Sequence, residues 1–300
     1  MDYTELYSFL DKLNTEYLTN EPLFRHTSFK IGGNADVFVK IRSEQELCDI
    51  CSFCNKKYKI LVIGNGSNLL VSDDGYKGVV LHIGHLFADI KLIDDNTILC
   101  NAGAPLSTVC NFALSQSLGG LEFAYGIPGT LGGAVYMNAG AYGGEMSDAV
   151  VKVNYVTPDG KRGFYDASEL DFGYRHSVFS GSDKIITSAV LKLCKKPEKE
   201  ISDLMKENMI KRKTKQPLEF PSAGSVFKRP EGYFAGALIQ DCDLKGYTIG
   251  GAQVSEKHAG FIINVGGATC SDVLALIDTI KKKVLDKFGV SLETEIKYIS

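Results

Sequence analysis

The glycine-dense stretch 119–144 is the feature that most constrains how this chain can fold. It reads GGLEFAYGIPGTLGGAVYMNAGAYGG, and nine of its 26 residues are glycine, whereas the whole chain of 300 residues has 31. Glu122 is its only charged residue, so the stretch is too apolar for a solvated linker. It is also too rich in glycine for a regular helix or strand. We therefore predict a loop that folds against another part of the molecule.

The backbone chemistry of this loop favours a ligand-binding role. Glycine main chain can approach a ligand closely and adopt positive φ, so that consecutive N–H groups face an anion. Pro128, between Gly126 and Gly129, stiffens the turn. A purely structural turn is the alternative, but so many glycines would place much main chain where unsatisfied polar groups are costly. The working hypothesis is a phosphate-bearing cofactor that lies along this loop.

Length, composition and charge limit the class of protein. Three hundred residues suit about two domains, or three small ones, and a composition of 44% apolar and 23% charged residues is that of an ordinary globular protein. The net charge of −3 disfavours nucleic acid as a partner. No apolar run is long enough to span a membrane, and the first residues lack the apolar core of a signal peptide. We expect a cytoplasmic protein with no membrane contact and no obligate protein partner.

Eight cysteines are expected to be free thiols rather than disulfides. Cys48, Cys51 and Cys54 form a C-x2-C-x2-C run that resembles part of an iron–sulfur signature. The surrounding sequence, SEQELCDICSFCNKK, is better explained as an amphipathic helix, in which this spacing buries the cysteines on one side. No fourth cysteine or nearby proline completes the signature. No metal site is predicted.

A second glycine-bearing segment, GNGSNLLVSDDG at 64–75, directly follows a predicted strand at 59–63. Flexible backbone and small polar side chains at the end of a strand are typical of phosphate sites in α/β folds. The Leu-Leu-Val run at 69–71 continues as strand rather than helix, so the segment is not the dinucleotide fingerprint of a Rossmann fold. The two glycine segments therefore indicate a different nucleotide-binding fold.

Hydrophobic periodicity and turn residues indicate a mixed α/β chain without internal repeats. Helices are predicted at 2–17, from 43 onward, 105–117, 198–213, 232–241 and 271–288. Strands are predicted at 35–41, 59–63, 69–71, 78–83, 97–102, 184–195 and 261–265, with a hairpin at 149–157 and 162–165 and a closing strand in ETEIKYIS. The proline-marked break at 197 suggests the start of a new domain.

Several motifs together resemble the UDP-N-acetylenolpyruvoylglucosamine reductase family. The two glycine segments occur with YRHSVF at 174–179 and SAGSVFK at 222–228, and the similarity runs from about Thr27 to Glu295. IPGTLGGAV and MNAGAYG are fairly specific for a flavin-binding fold, whereas AGSVFKRP, LKG and GGAQVS narrow the resemblance to the reductases. No long insertion follows YRHSVF, so the chain resembles the shorter of the family's two types, which lacks a tyrosine-bearing substrate loop.

The resemblance implies an α+β fold with an FAD-binding region of the vanillyl-alcohol-oxidase type in two parts and a C-terminal substrate-binding domain. The implied division is 1–83 for the first FAD-binding part, with the strand 292–300 returning near the active site. Residues 84–196 would form the second FAD-binding part, and 197–291 the substrate-binding domain. FAD is expected to be bound non-covalently.

The implied reaction is a step of peptidoglycan precursor synthesis, and so of cell-wall biogenesis. NADPH would reduce FAD, and the reduced flavin N5 would give a hydride to the enolpyruvyl group of UDP-N-acetylglucosamine enolpyruvate, which leads to UDP-N-acetylmuramate. The enolate that results would be protonated by Ser225, which matches the family's proton donor. Arg175 matches an arginine that stabilises the developing charge. Glu295 matches a glutamate near the same carbon, although strand alternation alone does not choose between Glu295 and Glu293.

Without the resemblance, these residues would have ordinary structural explanations. Ser225 would be a turn serine, Glu295 a surface strand residue, and Arg175 a packed arginine among aromatic residues. For Ser225 and Arg175, the family motifs favour a catalytic role over these structural explanations. His258 fits a core or interfacial histidine about as well as a substrate contact.

The remaining site residues follow from the motifs. The predicted cofactor-binding residues are Gly64, Asn65, Gly66, Ser67, Asn68, Leu69, Gly126, Pro128, Gly129, Thr130, Gly132, Gly133, Ala134, Asn138, Ala139, Gly140, Ala141 and Tyr142. The predicted substrate-binding residues are Tyr174, Lys215, Arg229, Lys257 and His258.

Two other functions compete with the reductase. One is a related FAD-dependent oxidase that acts on a sugar alcohol and uses oxygen as the acceptor. The other is a catalytically silent nucleotide-binding module, which would contain no flavin.

Overall fold

The computed structural model describes residues 1–300 and confirms the mixed α/β class. The helices are α1 (Thr4–Lys12), α2 (Glu44–Cys54), α3 (Leu106–Ser115), α4 (Leu131–Tyr136), α5 (Glu198–Lys215), α6 (Ala235–Asp241) and α7 (Cys270–Phe288). No helix combines the length and the apolar character that crossing a membrane requires.

Nineteen strands, several of them very short, accompany these helices. They are β1 (Tyr17–Pro22), β2 (Asn34–Lys40), β3 (Ile60–Ile63), β4 (Leu69–Val71), β5 (Tyr76–His82), β6 (Ile90–Asp94), β7 (Thr97–Asn101), β8 (Leu118–Gly119), β9 (Gly140–Ala141), β10 (Gly144–Glu145), β11 (Val150–Val156), β12 (Arg162–Asp166), β13 (Ile185–Lys192), β14 (Cys194–Lys195), β15 (Ser222–Ser225), β16 (Thr248–Ile249), β17 (Ala252–Val254), β18 (Phe261–Asn264) and β19 (Lys297–Ile299).

The chain divides into two compact units, each with its own hydrophobic core. Unit 1 comprises 1–19, 37–65 and 78–210, and unit 2 comprises 20–36, 66–77 and 211–300. The division into three functional segments made from the sequence remains a prediction.

In unit 1, a five-stranded antiparallel sheet with the order β12-β11-β13-β7-β6 forms the main layer. Its central strand β13 is buried along most of its length, as its alternating and apolar sequence predicts. The pairs β9-β10 and β8-β14 add short antiparallel ladders, and β3 pairs in parallel with the residues 79–82 of β5.

Helix α2 begins where the sequence predicts, because the Ser43 side chain accepts a hydrogen bond from the Glu46 N–H and caps the first turn. Cys48, Cys51 and Cys54 are all buried in the core of unit 1. Burial raises the pKa of the Cys51 and Cys54 thiols to about 12, so both stay protonated at neutral pH. The amphipathic-helix interpretation of this segment is confirmed.

In unit 2, an antiparallel sheet with the order β15-β18-β17-β16 packs with α6 and α7. Helix α7 begins at a capping box in which Thr269 and Asp272 satisfy each other's main-chain N–H groups, and it ends at Gly289 with a φ of 68°. The closing strand β19 pairs in parallel with β4, which confirms that the segment 69–71 continues as strand.

The glycine-dense stretch differs from its prediction in one respect. It contains the short helix α4, whereas its glycine content had predicted loop throughout. Thr130 caps this helix, and the buried side chains of Leu131, Ala134 and Val135 fix it against the core, which outweighs the low helix propensity of its two glycines. Helix α1 is likewise shorter than predicted, because the chain turns into strand β1 at Tyr17.

Candidate functional site

Within unit 1, Gly64 and Asn65 at the start of the second glycine segment contact the glycine-dense stretch. Gly64 directly follows β3, and a Cβ atom at this position would lie only 2.4 Å from Thr130 Oγ1. The Asn65 side-chain amide donates a hydrogen bond to the Pro128 carbonyl at 3.4 Å. Close packing of this kind requires glycine at position 64, so the sequence dictates the contact between the segments.

Helix α4 is fixed at its N-terminus by bonds within unit 1. The Leu131 and Gly132 N–H groups donate to the carbonyls of Ala104 and Ala102, each at 2.8 Å, and the Thr130 hydroxyl accepts from the Gly133 N–H at 3.5 Å. These first-turn donors are therefore already used and do not form an open anion site. The exposed main chain at Gly133, whose Cβ position has only Thr130 Oγ1 at 3.7 Å, leaves room for a ligand.

Free main-chain donors occur instead at 65–67. The N–H groups of Asn65, Gly66 and Ser67 donate no hydrogen bond within the chain. Gly66 has a φ of 57°, and its Cβ position would lie 2.3 Å from the His26 carbonyl oxygen, so no other residue fits there without a shift. A run of consecutive free N–H groups in a turn suits a phosphate, and this donor set therefore fits the diphosphate of FAD.

The rest of the glycine stretch forms a small hairpin. Ala139 precedes β9, and β9 pairs with β10 through Gly140 opposite Glu145 and Ala141 opposite Gly144. Tyr142, at the tip, has a φ of 53° and is 41% exposed. Asn138 is fully buried, whereas its neighbours Met137 and Ala139 are only partly buried.

Arg175 lies at the tip of a tight turn in unit 1. Gly173 and His176 close this turn through reciprocal main-chain hydrogen bonds of 3.1 and 3.2 Å. Arg175 has a φ of 54°, and its Nη2 donates to the Gly140 carbonyl at 3.0 Å, so its side chain contacts the hairpin of the glycine stretch. The Tyr174 ring is 55% exposed, with the Arg175 guanidinium carbon 5.2 Å from its centre.

In unit 2, Ser225 and Glu295 lie on neighbouring antiparallel segments. Ser225 ends β15, and the Glu295 N–H donates to the carbonyl of the next residue, Val226, at 2.7 Å. No hydrogen bond within the chain occupies the Ser225 hydroxyl. The Asn68 side-chain amide donates a hydrogen bond to the Glu295 carbonyl at 3.3 Å. This bond connects the second glycine segment to the segment that bears Glu295.

Glu293 and Glu295 differ in their surroundings. The Glu293 carboxylate forms an ion pair with Lys228 at 3.0 Å, and its side chain is 73% exposed. Glu295 is less exposed and is fixed on both sides by main-chain bonds, because the Lys297 N–H donates to the Asn68 carbonyl at 2.9 Å. The choice of Glu295 over Glu293 as the catalytic glutamate stays a prediction.

The predicted substrate-binding cations of unit 2 have different partners. Lys215 is exposed at the end of α5, and Lys257 is 3.4 Å from the Glu219 carboxylate. The Arg229 guanidinium lies over the Phe234 ring, 4.1 Å from its centre. These side chains are accessible at the surface of the unit.

His258 has the environment of a packed imidazole. Its Nδ1 accepts a hydrogen bond from the Gly260 N–H at 3.1 Å, and its ring meets the Phe261 ring edge-on at 5.0 Å between centres. Burial lowers the pKa of His258 below its ordinary value, so the ring is neutral at neutral pH. A neutral ring of this kind offers a substrate one N–H donor, at Nε2.

Sequence reasoning assigned no role to Ser177, the fourth residue of YRHSVF. Its side chain is fully buried, and its hydroxyl donates to the Tyr136 carbonyl at 2.7 Å. The signal was a small polar residue directly before the apolar pair Val178 and Phe179, which indicates a buried hydrogen bond only once the fold is known.

Comparison with known proteins supports the resemblance to the reductase family. A family model described as "FAD binding domain" matches residues 35–162, and one described as "UDP-N-acetylenolpyruvoylglucosamine reductase, C-terminal domain" matches residues 216–299. A protein from Syntrophomonas wolfei that carries the reductase name is 45% identical over 298 residues, which cover 99% of each chain. Another of that name, from Caldanaerobacter subterraneus, is 50% identical over 93% of this chain and 92% of its own.

A solved structure gives the same result. The crystal structure of UDP-N-acetylenolpyruvylglucosamine reductase from Thermus caldophilus aligns with a TM-score of 0.79 and 36% identity, over 95% of this chain and 99% of that one. Identity at this level over nearly the whole length establishes both the fold and the family. The chain belongs to the UDP-N-acetylenolpyruvoylglucosamine reductase family and is an FAD-containing oxidoreductase.

Proposed function

We propose that this protein catalyses the NADPH-dependent reduction of UDP-N-acetylglucosamine enolpyruvate to UDP-N-acetylmuramate, a step of peptidoglycan precursor synthesis. The observation that carries the proposal is the pairing of Ser225, with an unoccupied hydroxyl, and Glu295 on adjacent segments of unit 2. The relatives that bear the reductase name cover almost the entire chain. Neither the oxidase nor the silent module is favoured, because both an FAD-binding domain and the reductase-specific C-terminal domain match.

The cofactor is held by main chain more than by side chains. The free N–H groups of Asn65, Gly66 and Ser67 would bind the FAD diphosphate, and the exposed backbone at Gly133 lets the cofactor approach closely. When bound, FAD would take a hydride from NADPH and deliver it to the enolpyruvyl double bond. FAD would be bound to the protein non-covalently.

Ser225 would supply the proton that completes the reduction. A serine hydroxyl is a weak acid, so it can serve only if the substrate carbon has become strongly basic and the hydroxyl is free to point at it. The absence of an internal partner for Ser225 meets the second condition. Glu295, held on the neighbouring segment, would polarise the enol system or assist the proton transfer.

Arg175 would bind the carboxylate of the enolpyruvyl group. As this group accepts a hydride, negative charge spreads onto its carboxylate, and a fixed guanidinium stabilises that charge more than it stabilises the ground state. The tight turn that bears Arg175 restricts where the guanidinium can lie. Its contact with Gly140 keeps it beside the glycine stretch.

The nucleotide part of the substrate would contact the exposed cations. Lys215 and Arg229 are suited to the diphosphate, and Lys257, the His258 Nε2–H group and Tyr174 are suited to the sugar and uridine. NADPH would use the same region in turn, as the resemblance to the reductase family implies. Eight free thiols are consistent with a reducing compartment, and we place the reaction in the cytoplasm.

An anaerobic turnover experiment tests the proposal. FAD-loaded protein receives NADPH and UDP-N-acetylglucosamine enolpyruvate, and the product is identified by mass spectrometry as the substrate plus two hydrogens. UDP-N-acetylglucosamine, which lacks the enolpyruvyl group, is the control and should not stimulate NADPH oxidation. NADPH oxidation that requires oxygen and ignores the enolpyruvyl nucleotide would contradict the proposal and support an oxidase. Failure of FAD to raise the melting temperature would support the silent module instead.

A further inference from the structure

Asn138 is the one buried polar residue of the predicted FAD-binding set whose amide uses both of its heteroatoms inside the protein. Its Nδ2 donates to the Gly173 carbonyl at 3.0 Å, and its Oδ1 accepts from the Ser147 N–H at 2.9 Å. The residue is 0% exposed and has a φ of 41°. The buried amide therefore binds main chain of the protein itself, a role that the motif MNAGAYG alone did not suggest.

The carbonyl that Asn138 binds belongs to the turn of Arg175. Gly173 begins that turn, His176 ends it, and Arg175 adopts the left-handed backbone conformation that glycine tolerates and other residues disfavour. A turn with an unfavourable residue at its tip keeps its shape only if surrounding contacts impose it. Asn138 supplies such a contact at the first residue of the turn.

A second contact holds the other side of the turn. The Ser177 hydroxyl, directly after the turn, donates to the Tyr136 carbonyl at 2.7 Å. The turn is thus attached on both sides to the segment 136–138, and the Arg175 side chain itself reaches Gly140. All of these groups lie in unit 1.

We propose that Asn138 is a positioning residue for the reaction: its amide fixes the Gly173–His176 turn to the glycine stretch and so sets the location of the Arg175 guanidinium. The inference rests on the proposed role of Arg175 in binding the substrate carboxylate. A charge stabiliser must be placed within a fraction of an ångström, because a displacement of about 1 Å can cost on the order of 10²-fold in rate. Asn138 meets this requirement without contacting the substrate.

The test variant is Asn138→Asp, which keeps the size, the tolerance of positive φ and the acceptor for Ser147, but replaces the donor to Gly173 with an oxygen. Asn208→Asp is the matched control. Asn208 is 3% exposed in the same unit, and its Nδ2 donates to the Glu122 carbonyl at 3.1 Å, so the control loses the same kind of bond away from the turn.

Hydrogen exchange gives a readout that does not depend on activity. In Asn138→Asp, the Gly173 and His176 amides should exchange about fivefold faster or more, the factor that corresponds to one lost hydrogen bond. In Asn208→Asp, these two amides should exchange as in the wild type. Equal exchange of the turn amides in the two variants would overturn the positioning role, whatever reaction the protein catalyses.

Kinetics then connect the turn to the arginine. Asn138→Asp should bind FAD and accept reducing equivalents from NADPH as the control does, but reduce the enolpyruvyl substrate about 10- to 100-fold more slowly. In an Arg175→Ala background, Asn138→Asp should cause no further loss, because both changes remove the same interaction. If the double variant instead loses rate by the product of the two single losses, the positioning role of Asn138 is overturned. If the wild-type protein does not reduce the enolpyruvyl substrate, only the proposed function is refuted.

A second variant covers the case in which Asn138→Asp does not fold. Ser177→Ala removes the other attachment of the turn and leaves the glycine stretch unchanged. In Ser177→Ala, we expect the His176 amide to exchange faster and enolpyruvyl reduction to be slower. Combining Ser177→Ala with Arg175→Ala should cause no further loss of rate, which would support the positioning of the turn. A Ser177→Ala protein with wild-type exchange and turnover would overturn it.

Discussion

Gly64 and Gly132 in unit 1 and Gly224 in unit 2 are required for different physical reasons. In unit 1, a Cβ atom at Gly64 would lie 2.4 Å from Thr130, and one at Gly132 would lie 2.8 Å from Ala102. In unit 2, Gly224 has a φ of 79° and nothing within 4 Å of its Cβ position, and the hydroxyl of the next residue, Ser225, is unoccupied. At Gly64 and Gly132 close packing requires glycine, whereas at Gly224 the backbone conformation favours it, and the hydroxyl proposed to react has no partner within the chain.

The largest effect is expected from Ser225→Ala. Loss of a general acid should slow enolpyruvyl reduction by about 10²- to 10⁴-fold, while FAD affinity and melting temperature stay at wild-type values. Steady-state turnover and FAD titration measure the two quantities. Ser222→Ala, on the same strand, is the control and should turn over normally. A Ser225→Ala enzyme with wild-type turnover would remove the serine from the mechanism.

Arg175 should show a conflict between stability and activity. Replacement by glycine or alanine should slow enolpyruvyl reduction by about 10²- to 10³-fold, because the stabilising charge is lost. The glycine variant should unfold at a higher temperature than the alanine variant, since the φ of 54° costs a residue with a side chain about 1 kcal/mol. Thermal unfolding of the pair measures this difference. An alanine variant that is the more stable of the two would show that the turn is not strained.

The packed glycines of unit 1 should govern FAD affinity. Gly64→Ala should weaken FAD binding at least about tenfold and destabilise the protein by about 1–3 kcal/mol, because Thr130 and the loop around it must move. Gly143→Ala is the control: its φ of 87° carries a strain of about 1 kcal/mol, but its Cβ would meet nothing. Apoprotein titration with FAD compares the two, and equal affinities would refute the packing argument.

The smallest effect concerns pH and His258 of unit 2. Because its pKa is lowered in the folded state, the unfolded chain takes up a proton first as the pH falls below about 6.5. The contribution of His258 to the free energy of unfolding should therefore be constant above this pH and decline below it. In His258→Gln, which keeps an acceptor for the Gly260 N–H, this part of the decline should be absent. Melting temperatures at pH 7.5 and 5.5 test it, and parallel declines in both proteins would contradict the assignment.

The sequence predicted those parts of the fold that depend on local signals. Helix α2 starts at the Ser43 cap, and helix α7 extends over its amphipathic pattern, as expected. Strand β6 was not predicted, because most of its side chains are exposed and it has no buried alternation. Helix α4 was missed because its stability comes from tertiary packing rather than from propensity.

The candidate site shows the same limit. The glycine segments leave local marks in the sequence, whereas the roles predicted for Ser225 and Arg175 depend on the resemblance to the reductase family. The sequence could not show that the Asn138 amide binds the Gly173 carbonyl, or that Glu293 pairs with Lys228. Such contacts join residues far apart in the chain, and only the folded backbone brings them together.

The most direct test of this account follows the two half-reactions separately by anaerobic stopped-flow, with FAD-saturated wild type, Ser225→Ala and Gly64→Ala. We expect NADPH to reduce the flavin of Ser225→Ala at the wild-type rate, and the enolpyruvyl nucleotide to reoxidise it about 10²- to 10⁴-fold more slowly. Gly64→Ala should need more FAD for saturation but then complete both half-reactions. Reoxidation of Ser225→Ala at the wild-type rate would contradict the assignment of proton transfer to Ser225.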